Sequence, residues 1–284
     1  VGEDLRQILE DALQRTQRGE GYSLLAGPLY WEWQTLLYLD EPLDFDPLYN
    51  ADTARRLSAL AEWTGRGDAC ALSLQGGQAT LTVLPEYAAF LQREEIASPI
   101  LDLNLMREAY VMRLVARDLK AQGYTDGYLY GDGGCSMHLQ DMDTRYTLYG
   151  YDGEGAVQAA ELQWRSPSSF CLFTAFSMRE DDYGYYRAGE EMRHPFVSTI
   201  SGMPENTVMT LALAGGEEDL EDLAYHAAVL CMQPSEAGVL SGLEKLPEDV
   251  FYACLFTAGD GGMQIRPGME NRVRLYEDTA VAAH

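Results

Sequence analysis

Positive charge is scarce in this 284-residue chain: 20 Lys and Arg face 45 Asp and Glu, for a formal net charge of −25. Such an excess repels a nucleic-acid backbone, and no basic stripe interrupts it, so neither DNA nor RNA is an expected partner. Long apolar runs are missing too. None approaches the roughly 20 residues needed to span a bilayer, and no segment reads as a signal peptide or anchor, so no membrane span is expected. Only four histidines occur, and Ser166–Pro167–Ser168–Ser169 lacks a nucleophile elbow, which gives a hydrolytic triad no support. The five cysteines (Cys70, Cys135, Cys171, Cys231 and Cys254) are odd in number and contain no C-x-x-C. They support neither a zinc knuckle nor a redox pair, and their apolar neighbours point to buried free thiols. Gly131–Asp132–Gly133–Gly134 is not G-x-G-x-x-G and opens no helix, so a Rossmann reading has no footing.

What is present is enough for a real core, with 46% of the residues hydrophobic. Leu5, Ile8, Leu9, Ala12 and Leu13 recur at helical spacing and predict a helix over 3–18. Glu20–Trp33 reads as turn-like and then aromatic. A second helix is expected over Ala51–Thr64 after Asn50, and a hairpin joins Ala71–Leu74 to Ala79–Val83 across Gln75–Gly76–Gly77–Gln78. Glu108–Gln122 is a strong helix closed by Gly123. Short strands follow at Gly127–Tyr130, Ser136–Leu139, Tyr146–Tyr149 and Phe170–Thr174, then Thr207–Ala214. Helices are expected over 217–232 and Glu236–Leu243. A last hairpin flanks Gly259–Asp260–Gly261–Gly262. Strands in runs, with helices between groups, argue for an α+β fold of antiparallel sheets and packed helices. With no linker or repeat, residues 1–284 are expected to form one domain. Asp181–Asp182–Tyr183–Gly184–Tyr185–Tyr186 is an acidic, aromatic loop, readable as a binding loop or as a solvated turn with packed tyrosines. Glu217, Glu218 and Asp219 read as the favourable acids of a helix N-terminus.

Several blocks carry a resemblance. Leu101–Asp102–Leu103–Asn104–Leu105–Met106–Arg107–Glu108–Ala109–Tyr110, followed by a helix and Gly131–Asp132–Gly133–Gly134, is similar to L-D-L-G-G-I-A-K-G-Y-A, a helix and N-L-G-G-D. Tyr22–Ser23–Leu24–Leu25–Ala26–Gly27–Pro28–Leu29–Tyr30–Trp31 resembles F-D-P-T-V-G-P-L-V-x-L-W. His194–Pro195–Phe196–Val197–Ser198–Thr199–Ile200–Ser201–Gly202–Met203–Pro204 resembles H-H-I-I-D-P-R-T-G-Y-P. Val208–Ala212 resembles S-V-T-V-I-A, and Glu221–Leu230 resembles A-D-A-L-S-T-A-L-F-V. Those patterns belong to the FAD:protein FMN transferases of the ApbE type. No block is specific alone; the order and spacing, from about residue 9 to residue 243, carry the likeness. The hairpin over 250–275 is taken as part of the same fold.

The resemblance implies a chemistry: FAD is split and FMN is moved to a Thr of a client protein, with a divalent cation on the pyrophosphate. Such a reaction needs oxygen ligands for a hard cation, an apolar or aromatic cleft for the rings, and a proton acceptor for the incoming hydroxyl. By resemblance Tyr22, Ser23, Asp102 and Glu108 fall at cofactor-contacting positions. Read from the residues alone, a Tyr in an aromatic-rich chain, as Tyr22 is, more often packs in the core. Asp102 is a turn carboxylate before the helix near Arg107, and Glu108 a first-turn acid complementing the dipole. Asp222 matches a family metal ligand. His226 stands where the family has Thr, one helical turn on, so the pair shares a face and would suit a transition metal better than magnesium. A solvated acidic helix is the plainer alternative.

The departures weigh against turnover. Ser23 replaces Asp, Leu105 a small residue, Pro195 a His, Ser198 an Asp, Ile200 a polar residue and Arg113 an Asp. The expectation is a divergent relative, weak or inactive as a transferase, that keeps a cleft for a flavin, a nucleotide or a partner. FAD is the cofactor to test, with Mg in the family and a transition metal here. The alternative is an active Mg-dependent enzyme acting on a client protein. By resemblance the family is often extracytoplasmic and membrane-anchored.

Overall fold

In the computed structural model, residues 1–140, 143–151, 155–165, 169–176, 183–216, 220–257, 263–265 and 272–276 are described. The first 104 residues carry helices α1 (Glu3–Thr16), α2 (Gly27–Leu37), α3 (Ala51–Gly65) and α4 (Pro85–Arg93), with strands β1 (Cys70–Gln75) and β2 (Gln78–Val83) before α4. Then come α5 (Met106–Ala121), β3 (Tyr128–Tyr130), β4 (Cys135–His138), β5 (Asp143–Tyr151), β6 (Ala156–Arg165) and β7 (Ser169–Thr174). Two short strands follow, β8 (Tyr186–Ala188) and β9 (Glu191–Arg193). The rest is β10 (Val208–Gly215), α6 (Leu220–Cys231), α7 (Glu236–Leu243), β11 (Phe251–Phe256), β12 (Met263–Ile265) and β13 (Val273–Leu275). Helices and antiparallel ladders in separate groups make an α+β fold, as expected. The expected turn at 259–262, Asp181–Asp182 of the acidic loop and Glu217–Asp219 lie outside the described residues.

The chain divides into two compact units. The first holds residues 1–104 and 186–204. Its core gathers Leu29, Tyr30, Trp33 and Leu36 of α2, Leu57 and Leu60 of α3, and Tyr87 and Phe90 of α4. The helix α2 was not expected from the aromatic run around it. Pro28 starts it at the position where the missing N–H costs nothing, and burial of Leu29, Tyr30 and Trp33 outweighs the modest helix preference of aromatics. Gly27 is needed because a Cβ there would run into the carbonyls of Pro99 and Ile100, and its own N–H donates to the Ile100 carbonyl. Asn50 caps α3, its Oδ1 accepting the N–H of Asp52 and of Thr53. The hairpin β1–β2 turns on Gly76 and Gly77, both at positive φ.

A buried ion pair ties distant parts of this unit together. Arg193 of β9 donates through Nε to Asp46 at 2.8 Å, and both side chains are almost wholly excluded from solvent. Tyr186 and the Leu48 N–H also donate to Asp46. Burial pushes the Asp46 carboxyl up, but those hydrogen bonds and the guanidinium charge outweigh it and hold the group below its ordinary range.

The second unit holds residues 105–185 and 205–284. Its main sheet has the order β12-β11-β10-β7-β4-β3, and a smaller one the order β13-β6-β5. Leu148, Ala160, Leu162, Phe170, Ala212, Phe251 and Leu255 form its core, and α6 packs on β7 and β10. β6 was not foreseen. Its Ala, Glu and Gln favour helix, and pairing to β5 on one side and β13 on the other decides the matter. α5 ends as a Schellman turn: Gly123, at positive φ, donates to Lys120 and Tyr124 donates to Leu119. All five cysteines are buried free thiols.

Candidate functional site

The first unit contains a cavity of about 880 Å³. It is bounded by the last turn of α1, the chain at Gly19–Leu25, the C-terminal half of α3, the start of β1 and Thr199–Ser201. Tyr22 and Ser23 both line it, so two expected cofactor residues meet on one wall. Tyr22 is also fully buried, at 1% exposure, and thereby serves as a core aromatic as well. The Thr199 N–H donates to the Gly21 carbonyl at 2.9 Å and fastens the two resembling segments to each other. Ser23 does locally what an aspartate would do: its Oγ accepts the Leu25 N–H, while its own N–H donates to the Tyr30 hydroxyl. Trp63 and Tyr87 supply stacked rings 5.2 Å apart. Burial pushes the Cys70 thiol on the cavity wall up to about 11, which keeps it protonated and unreactive near neutrality.

Asp102 belongs to the same unit. Its N–H donates to the Leu24 carbonyl, and its Oδ1 accepts the Asn104 N–H at 2.7 Å. The carboxylate therefore closes an Asx turn; it does not cap α5, whose N-cap is Leu105 with no side-chain bond. Asn104 sits at φ +46°, a conformation that Asn tolerates better than other non-glycine residues, where the resembling pattern has Gly. Burial pushes the Tyr30 phenol above its ordinary value, and the Asp102 charge adds to the shift.

Glu108, Asp222 and His226 lie in the second unit. Glu108 is in the first turn of α5, but its carboxylate is engaged elsewhere. One oxygen accepts the Gly133 N–H at 2.9 Å and the other the Cys135 N–H at 2.8 Å. A Cβ at Gly131 would overlap the Glu108 carboxylate, and one at Gly134 would strike the Leu172 carbonyl. The glycine run is thus a cradle for a side chain of the protein itself. Asp222 is exposed in the first turn of α6 and His226 is half-buried one turn on. Among the described residues no group of three His, Cys, Asp or Glu comes together as a metal would require. Arg113 of α5 pairs with Glu221, placing a cation beside the residue adjoining Asp222. Ser198, where an Asp stands in the resembling pattern, is buried and accepts the Ile200 N–H.

No protein-family model matches the chain, and no curated protein matches its sequence. Solved structures do. The flavin transferase ApbE from Vibrio cholerae superposes with a TM-score of 0.62 at 15% identity, over 96% of this chain and 77% of that one. The ApbE protein from Thermotoga maritima gives 0.64 at 10% identity, covering 96% and 78%. The flavinyl transferase ApbE from Pseudomonas stutzeri, in its apo form, gives 0.60 at 16% identity, covering 96% and 74%. The chain has the ApbE fold. The sequence likeness to ApbE and the fold therefore agree, although identity is low throughout. Cavity residues outside the ApbE-like blocks, chiefly Glu62, Trp63 and Tyr87, were not singled out from sequence, because they sit on ordinary amphipathic helices. Among the described residues no helix is long and apolar enough to cross a membrane.

Proposed function

We propose that this protein is a divergent ApbE-type chain, residues 1–284 acting as one functional domain, that keeps a flavin- or nucleotide-binding cleft and performs little or no FMN transfer. One observation carries the cleft: Tyr22 and Ser23 line the same cavity as Thr199–Ser201, and these segments come from separate ApbE-like blocks. An 880 Å³ space suits a ring system, since ligand pockets run from about 300 to 1,000 Å³. Tyr22 and Ser23 are the residues to meet the ligand. Asp102 and Glu108 hold backbone turns in shape, through Asn104 and through Gly133 and Cys135.

Loss of transfer is supported by what the polar positions now do. Ser23 and Ser198 are tied into local turns, and Pro195 and Ile200 carry no ionisable group. Asp222 and His226 do not fit a hard magnesium site, which draws on several oxygens. Imidazole would turn the pair towards a transition metal, with water completing the shell.

Incubation with FAD, magnesium and a Thr-containing client peptide, followed by mass spectrometry, tests the reading. No FMN-modified peptide is expected, while the protein takes up flavin. A peptide adduct abolished by Asp222→Ala would restore the active transferase. Failure to take up any flavin would remove the cleft.

A further inference from the structure

We propose that the cavity of the first unit takes an unphosphorylated flavin ring and discriminates against phosphate-bearing forms of it. This rests on the reading of the cavity as a flavin cleft, and it specifies the chemical form that enters.

The charge around the cavity carries the inference. None of the described residues lining it is Lys, Arg or His, and one, Glu62, is a carboxylate. Two helices also turn the same end towards it. Leu13, Thr16 and the C-cap Gln17 belong to the C-terminal turn of α1, and Ala61–Gly65 form that of α3. Helix C-termini present carbonyl oxygens and the negative end of the dipole, the opposite of the N-terminal geometry that receives phosphates. The arginines next in sequence do not redress the balance. Arg15 is paired with Asp11, and Arg66 is paired with Asp68 and lies over the Trp63 ring. Arg18 is exposed and does not line the cavity.

The same walls suit an uncharged ring. Trp63 offers aromatic surface, backed by the buried rings of Tyr87 and Tyr22, and Gln17, Ser23, Ser58 and Ser201 offer polar groups for ring carbonyls, ring nitrogens and a ribityl chain. A phosphate would enter among carbonyl ends and a carboxylate, with no cation among the described lining residues, on a chain of net charge −25.

Titration of riboflavin, FMN and FAD with the full chain at low ionic strength, read by flavin fluorescence, tests the proposal. Riboflavin should bind tighter than FMN by about tenfold or more, since the unfavourable charge interactions act within a few ångströms of the ligand. FAD should bind no better than FMN. Added salt should narrow the gap, and so should Glu62→Gln, a surface change that leaves the fold intact. Trp63→Ala should weaken riboflavin by about tenfold through lost stacking, with circular dichroism confirming that the variant is folded. FMN or FAD binding as tightly as riboflavin, or a gap unmoved by both salt and Glu62→Gln, would overturn the charge argument and leave the flavin cleft standing. Absence of binding by all three flavins would instead remove the cleft reading itself.

Discussion

At the scale of single residues, two carboxylates show how differently a charge can be used. Glu108 satisfies the N–H groups of Gly133 and Cys135. Glu108→Ala should cost about 1.5–3 kcal/mol in chemical denaturation, the range for hydrogen bonds to a charged acceptor, since it strands the partly buried Cys135 N–H while the exposed Gly133 N–H turns to water. Glu108→Gln should recover part of that. Asp46 neutralises Arg193 in the interior. Asp46→Asn should be worse, at about 3 kcal/mol or more, because it removes the buried one of the two carboxylates that face Arg193 and leaves only the exposed Glu191. Since the folded state holds the Asp46 carboxyl below its ordinary value of 3.8, its contribution is complete above that pH. It disappears as acid protonates the group at lower pH. A denaturation series from pH 5 downward should show wild type losing stability below about pH 3.8, with Asp46→Asn flatter over the same range. Neither arrangement was visible in the sequence. Asp46 and Arg193 are 147 residues apart, and nothing local marks Glu108 as reaching to residue 133.

At the scale of elements, local chemistry was legible where it was complete. Asn50 announced α3, Gly123 the end of α5, and Gly76–Gly77 the β1–β2 turn, because each uses a side chain or a φ preference within a few residues. Asn50→Ala should accordingly lower stability by about 1 kcal/mol in urea denaturation, through two N–H groups left to water. Gly123→Ala should cost a similar amount, since alanine resists the positive φ of the Schellman turn. The helix α4 and the short strands β8 and β9 were not expected either, but the harder cases were α2 and β6. Both contradict their own local preference, and only the packing of Trp33 and Leu29 or the ladders on either side of Ala156–Arg165 explains them.

At the scale of the whole molecule, the ApbE fold was readable through the order of weak blocks, none sufficient alone. The cavity was half readable. The wall made by Tyr22, Ser23 and Thr199–Ser201 lies in those blocks, whereas Glu62, Trp63 and Tyr87 look like any amphipathic helix residues until folded. Net charge acts at this scale as well. With −25 to hold together, the protein should gain stability as salt screens self-repulsion, and its melting temperature should rise from low ionic strength to about 0.15 M, where the Debye length is about 8 Å. A melting temperature that fell over that range would mean that attractive pairs such as Arg6–Glu10 and Arg56–Glu32 outweigh the net field.

The seat of Glu108 among the glycines constrains which residues position 108 can hold. Two N–H donors converge on the carboxylate, and Gly131 has no room for a side chain beside it. A lysine, the residue of the resembling pattern at this position, would bring a third donor and no acceptor to a place that calls for an anion. Exchange in either direction therefore passes through a misfitted turn unless the residues around Gly133 change with it. Position 108 and the loop 25 residues downstream are coupled, and Glu108→Lys alone should lose both backbone contacts and unsettle the glycine turn.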